Sequence, residues 1–369
     1  MIIDKKLLYI VFIIFSILSM YAFGLHRYAV YLSMLGALSF IKTEIKTSWS
    51  FLGFLFFLFL IFALQLGTSH NGGGVIYYFG RDLFFIVLPI VVVLLLKGAI
   101  YTQEKAEIYI LRGIILIGVF VFAKRMGSVG SFNIVENFIS SHSTLETPSA
   151  PLYAIGGITA LICKRRKEFL ILSLFCILAS KRIVTAGYVV VLIMHVLKIY
   201  KWYSRKFLKF TFISIALFVN FGVVYMMYML GNGAFDDIIY LYTQLPTQSF
   251  TAGRSVVYGF VFDLTPVRTL YIGNGIGYAP YLLHGKLSSI GLDLLHSDVL
   301  RLFIEMGFVL FAALIITLYR SVKGKMIYLL VLMNFFLLTD NYIIYAEVMF
   351  VFYICILLVD NYQKRNYAK

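Results

Sequence analysis

Charge is scarce in this chain, and what charge there is leans one way. Only 13% of the 369 residues are charged, against 61% hydrophobic, and 17 Asp and Glu face 32 Lys and Arg. Soluble domains run nearer about 25% charged and about 45–50% apolar, so a free-standing aqueous fold is excluded. Cysteine is almost missing. Cys163, Cys176 and Cys355 all lie in apolar runs with no pairing or ligand spacing, which argues against a disulfide scaffold and a zinc site. There is no internal repeat, no low-complexity tract and no convincing nucleophilic Ser or Cys.

Long apolar runs fill the space instead, and the mean hydropathy is +0.92. "LLYIVFIIFSILSMYAFG" (7–24) and "FLGFLFFLFLIFALQLG" (51–67) approach the roughly 20 residues that cross a bilayer as helix. The first run has no small-residue cleavage signature, so it reads as a retained span and not as a signal peptide. The pattern predicts an all-α polytopic membrane protein, residues 1–369 forming a single integral membrane domain. About twelve spans are expected, at 7–24, 28–41, 49–66, 83–97, 107–123, 151–163, 168–180, 183–199, 208–231, 297–319, 326–340 and 342–359.

The net charge of +15 could suggest nucleic acid, but its distribution points elsewhere. With the N-terminus in the cytoplasm, the inner segments carry "DKK", "KTEIK", "KRRK", "KIYKWYSRKFLK", "RSVKGK" and the tail "QKRNYAK". They hold most of the Lys and Arg, as the positive-inside bias requires. Both termini are therefore expected in the cytoplasm, with membrane lipid and not nucleic acid as the partner. The only long outer segment is 232–296, between spans nine and ten, and its apolar stretches predict short helices lying against the membrane surface.

Candidate chemistry collects on the outer side. Lys181 and Arg182 sit in the turn "SKRIVTAG", Arg254 in "TAGRSVVYGF", and His296 opens the tenth span in "LLHSDVLRLFIEMG". Arg binds phosphate oxygens through a planar fork, so two arginines and a histidine at the lipid–water boundary suit a lipid-linked pyrophosphate. Simple snorkelling to headgroups is the competing reading for the same cations. In the tenth span, helical spacing puts Asp298, Arg301 and Glu305 on one side, where i,i+3 and i,i+4 bridges can hide the arginine. His296 faces the other way. Glu347, inside the last span, is either functional or the structural partner of an arginine.

These stretches, with "IGNGIGY" between them and in this order, resemble the O-antigen polymerase and ligase superfamily, the Wzy-type polymerases and WaaL-type ligases of Gram-negative inner membranes. The topology of the whole chain is similar, while the residue-level likeness is confined to about 180–310. The resemblance implies a GT-C-like glycosyltransferase with a periplasmic active site, acting on undecaprenyl-pyrophosphate-linked glycans as both donor and acceptor. It implies that Arg182 and Arg254, with Lys181 beside them, hold the donor pyrophosphate and that His296 meets the acceptor hydroxyl. Arg301, Glu347 and Tyr258 are secondary candidates. Neither a metal nor a cofactor is called for, and a separate chain-length regulator protein is an implied partner.

Ligases of this superfamily tend to show Arg-x-x-x-Leu, and a His-[Asn/Ser/Gln] followed nine residues later by Gly-x-x-[Gly/Thr/Tyr]. Here Ala186 follows Arg182, Tyr258 follows Arg254, and Gly307 is followed by Leu310. The departures favour polymerase over ligase. A glycolipid flippase or other transporter is the rival from another class, although repeated halves and midplane charges are not evident. "SHNGGG" with His70 reads as a turn, Asp236 and Asp237 as loop residues, and His142 and His195 as incidental.

Overall fold

Inside lipid no water can satisfy the backbone, so an apolar chain closes its hydrogen bonds within helices. The computed structural model describes residues 4–43, 72–103, 105–126, 147–251, 253–267, 269–286 and 295–367. It is 84% helical, with no strand among the described residues. The expected span 49–66, His142 and the "SHN" start of the expected glycine turn, with His70, lie outside the described residues, while Gly72, Gly73 and Gly74 are helical and open the third helix.

The first helices are α1 (Lys5–Phe23) and α2 (Tyr28–Gly36), the latter continued by a 3₁₀ turn at Ala37–Thr43. Asp4 caps α1, accepting from Lys6 N at 2.9 Å, and Gly24 ends it with φ 73°. Then come α3 (Gly72–Thr102), α4 (Ala106–Met126), α5 (Ala150–Ile162), α6 (Arg166–Leu178) and α7 (Arg182–Val196). A short α8 (Ile199–Tyr203) leads into the long α9 (Lys206–Gly231). Five short helices follow: α10 (Asp236–Thr243), α11 (Thr247–Phe250), α12 (Arg254–Leu264), α13 (Thr269–Ile272) and α14 (Tyr278–Lys286). The chain closes with α15 (Asp298–Ser321), α16 (Met326–Thr339), a 3₁₀ turn at Tyr342–Ile344 and α17 (Ala346–Tyr367).

Among the described residues, six helices are long and apolar enough to cross a membrane: Lys5–Phe23, Tyr77–Thr102, Ala106–Arg125, Lys206–Gly231, Asp298–Ser321 and Ala346–Asn366. Four of the other expected spans form shorter apolar helices, at Tyr28–Phe40, Ala150–Ile162, Arg182–Val196 and Met326–Thr339. Turn geometry limits them. Lys164 and Ser180 adopt left-handed φ of 58° and 50°, so α5, α6 and α7 reverse within three residues at each corner. A 13-residue helix such as α5 or α6 rises about 20 Å, short of the roughly 30 Å of a hydrocarbon layer.

Helix α5 is buried on nearly every face and packs against α6, α7 and α17. Small residues let its neighbours close in, as membrane helix packing demands. A Cβ at Gly157 would lie 2.6 Å from the Tyr188 hydroxyl of α7. The three cysteines are buried and unpaired.

Ion pairs mark the two ends of the bundle. At the basal end Glu107 of α4 accepts from Arg165 (Nε at 3.0 Å) and from Arg365 (Nη2 at 3.0 Å). Nearby, Asp360 of α17 takes the Tyr101 hydroxyl at 2.5 Å and Lys364 at 2.6 Å. The opposite end gathers the starts of α7, α15 and α17 and the end of α16, and all the candidate residues lie there.

The segment 232–296, expected on the outer side, does not simply rest on a surface. Helix α12 packs on α9, where Gly231 and Gly259 bring the two backbones together. Beyond it the chain turns inward, and α13 with the following turn lies against α15. Helix α10 fits the surface expectation better, having no buried residue and exposing Tyr240, Leu241 and Tyr242.

Candidate functional site

Helix α15 begins with a strained residue. His296, half-buried, has φ 51°, a left-handed conformation that costs an L-residue about 1–2 kcal/mol. Ser297 then caps the helix, accepting from Leu300 N at 3.2 Å. What holds the strained turn is the α16–α17 connection: Asp298 N donates to the Asp340 carbonyl at 3.1 Å, and Ile343 N donates to Asp298 Oδ2 at 2.7 Å. The Asp298 carboxylate thus caps the 3₁₀ turn of another segment. It does not bridge to Arg301 as helical spacing suggested; the Ile343 N–H, at the start of a helical turn that has no internal acceptor for it, takes the carboxylate instead.

Asp340 is the hub of this end, and no motif marks it. Its Oδ2 lies 2.5 Å from Lys181 Nζ, and its Oδ1 accepts from Asn341 N at 2.8 Å. Burial by itself would raise the Asp340 carboxyl, but the Lys181 ammonium, the Asn341 N–H and the nearby His296 ring hold it below its ordinary value. Lys181 also lies 5.0 Å from the centre of the Tyr342 ring. A phosphate group at Lys181 would therefore compete with a protein counter-ion already in place. Arg182, the next residue, starts α7 and is exposed. Asp340 in this way ties the Lys181–Arg182 turn to the turn that carries His296.

Arg254 belongs to a different part of the same end. It is the first residue of α12, half-buried, and follows Gly253, whose φ of 80° turns the chain into the helix. Its charge acts on Tyr258 one turn on, whose phenol burial pushes up and Arg254 pulls down. The main helix contacts of α12 run to α9, α11 and α14.

Below His296 lies a closed charge network. Arg301 bonds Asp82 of α3 through Nη2 and Glu305 through Nε at 3.2 Å, and Arg81 Nε completes Asp82 at 2.9 Å. Arg301, Asp82 and Glu305 are all buried. The i,i+4 pairing of Arg301 with Glu305 is the one that helical spacing expects. Asp82, 219 positions away in the chain, is an addition that spacing could not show.

The expected continuous span 297–319 is broken. Gly307 has φ 71° and ψ 171° inside α15, which strips the carbonyls one turn earlier of their helical donors. The glycine-rich turn after α13 supplies the replacements: Asn274 N donates to Ile304 O at 3.1 Å and Gly275 N to Glu305 O at 2.7 Å. Gly273, Gly275 and Gly277 have φ of 94°, 97° and 88°. A Cβ at Gly273 would sit 2.5 Å from Glu305 O. The contact at Glu305 lies seven residues into α15, about 10 Å by helical rise, so "IGNGIGY" is a re-entrant turn.

Glu347 pairs with Arg27 from the α1–α2 turn at 3.6 Å and accepts from the Tyr21 hydroxyl at 3.3 Å. Arg27 also lies 4.4 Å above the Tyr345 ring. Of the two readings of Glu347, the structure provides the arginine partner. Arg27 itself carried no sequence signal beyond its place at a span end.

No family model, curated protein or solved structure matches the chain. Fold and composition define a class: an all-helical, membrane-embedded protein with a broken helix and a histidine-bearing end rich in ion pairs.

Proposed function

We propose that the chain is an O-antigen polymerase of the Wzy type, joining undecaprenyl-pyrophosphate-linked repeat units on the periplasmic face of a Gram-negative inner membrane. The observation that carries this reading is the strained His296 turn, tied through Asp340 to the Lys181–Arg182 turn at one end of the bundle. In this reading the basal end is cytoplasmic, with both termini there, and residues 232–296 are periplasmic.

The chemistry needs few parts. The acceptor hydroxyl oxygen attacks the anomeric carbon from the face opposite the pyrophosphate, inverting its configuration. The bond between carbon and pyrophosphate oxygen breaks, and its electron pair leaves with the lipid pyrophosphate. The hydroxyl proton passes to the neutral imidazole of His296. Arg182 and Arg254 stabilise the charge that develops on the leaving group, which in this mechanism calls for no metal. Bringing Arg254 to the same pyrophosphate as Arg182 requires the donor to bridge from α12 to α7.

A ligase would share this mechanism and differ in acceptor, lipid A–core in place of a second repeat unit. A glycolipid transporter is favoured by one observation, the broken α15 with its re-entrant turn, since transporters place broken helices at their substrate sites. A gel ladder of surface glycan from a deletion strain separates the three. Core with a single repeat unit supports the polymerase. Bare core with long polymer left on the carrier lipid makes it a ligase, and repeat units trapped on the cytoplasmic side make it a transporter.

A further inference from the structure

Aromatic rings gather at one place on the candidate end that the reaction above leaves unused. Tyr78, near the start of α3, is the centre of the group. The Tyr77 ring lies 5.3 Å from it, the His284 imidazole 5.9 Å and the Tyr281 ring 6.5 Å, the last two from α14. Arg81 closes over the Tyr78 ring at 4.8 Å. Tyr77 and His284 are exposed, Tyr78 and Tyr281 half-buried. We infer that this cluster is a saccharide-binding platform, which stacks a pyranose of the lipid-linked glycan and hydrogen-bonds its hydroxyls. The inference rests on the glycosyl-transfer reading and gives it a sugar subsite.

Three features select a sugar over bare lipid. The first is composition. Every ring carries a polar edge, so apolar faces alternate with three phenol hydroxyls, an imidazole and a guanidinium. A pyranose has the matching pattern, with C–H groups on its faces and hydroxyls around its rim. The second is rigidity. Arg81 is anchored to the buried Asp82, which is itself held by Arg301, and Gly277 presses its backbone against Tyr78 and Phe79. The platform is thereby fixed in place before any ligand arrives, which lowers the entropy cost of binding.

The third is position. Tyr78 lies one helical turn before Asp82 in α3, and Ser297 lies one turn before Arg301 in α15. The Asp82–Arg301 ion pair joins the two helices at that lower level. The rings therefore stand at the same height as the His296 turn, across one ion pair. An interfacial aromatic belt would spread its rings around the whole circumference with no relation to His296.

The test uses the full chain in lipid nanodiscs against an array of bacterial surface oligosaccharides. The strongest binder is then titrated by saturation-transfer NMR. Wild type, Tyr78→Leu, Tyr281→Leu, His284→Leu and Tyr78→Phe are compared. Each Leu variant is expected to weaken saccharide binding between about threefold and tenfold, the range for loss of one ring contact. Tyr78→Phe keeps the ring and should stay within about threefold of wild type. Should a Leu variant misfold, Tyr78→Phe together with the two α14 variants still decides the matter. Wild type binding no arrayed glycan, or all three Leu variants binding like wild type, overturns the platform. His296→Ala separates this from the parent reading. It should bind saccharide normally while failing to restore the surface ladder, and a restored ladder would remove the glycosyl-transfer reading and leave the binding result standing.

Discussion

Replacing Arg301 by Met gives the sharpest stability prediction, because its partners lose unequally. Asp82 keeps Arg81 at 2.9 Å, on the edge of solvent. Glu305 keeps only backbone donors, the Ala279 N–H at 3.3 Å and the Gly277 N–H, with its side chain 1% exposed. Removing one partner of a buried ion pair costs about 3–5 kcal/mol, because the other charge stays buried and uncompensated. Arg301→Met should therefore destabilise by about that amount. Adding Glu305→Gln should recover about half of it, since the orphaned charge is gone. Adding Asp82→Asn should recover much less, because it leaves Arg81 without its counter-ion. The assay is thermal and denaturant unfolding of the detergent-solubilised chain, followed by size-exclusion. A loss under about 1 kcal/mol for Arg301→Met, or equal rescue by Asp82→Asn and Glu305→Gln, would refute the assignment of the network.

Four further outcomes follow from the same geometry. Lys181→Met and Asp340→Asn should show a coupling of about 1–3 kcal/mol in a double-mutant cycle, as expected for contacting residues in one network. The Asp340 carboxyl is depressed in the fold, so this stabilisation is present above the ordinary carboxylate range near pH 4 and fades as pH falls through its lower folded value; unfolding curves between pH 7 and 3 check the sign. Gly307→Ala and Gly273→Ala should each cost at least about 2 kcal/mol, from positive φ plus a clash of backbones, and a chain unchanged in unfolding midpoint would refute the re-entrant contact. His296→Ala should lower the polymerisation rate by about 10²–10⁴, the usual contribution of a general base, with donor binding retained in a pull-down of the lipid-linked glycan.

What the sequence displayed depends on how local each interaction is. The apolar runs and the Arg301–Glu305 pair are patterns within a few residues, and periodicity reveals them. Asp340 hides because its partners, Lys181 and the His296 turn, lie 159 and about 40 positions away and belong to no shared pattern. Asp82 and Arg27 hide for the same reason, each being the far half of an ion pair. The spacing of Asp298 to Arg301 was a fair local cue, yet the N–H groups of the α16–α17 turn took the carboxylate. The break at Gly307 was present as a glycine beside a second glycine-rich stretch. Only their meeting in space shows that one opens α15 and the other supplies the hydrogen bonds that the opening needs.

The most direct test of the account is reconstitution. The purified chain is placed in proteoliposomes with polyprenyl-pyrophosphate-linked repeat units, and product length and released polyprenyl pyrophosphate are followed by gel and mass spectrometry. The account predicts a ladder of multimers with one pyrophosphate lipid released per bond, and none from His296→Ala. A wild-type chain that forms no bond while moving the glycolipid across the membrane, or a His296→Ala chain that polymerises at full rate, would contradict it.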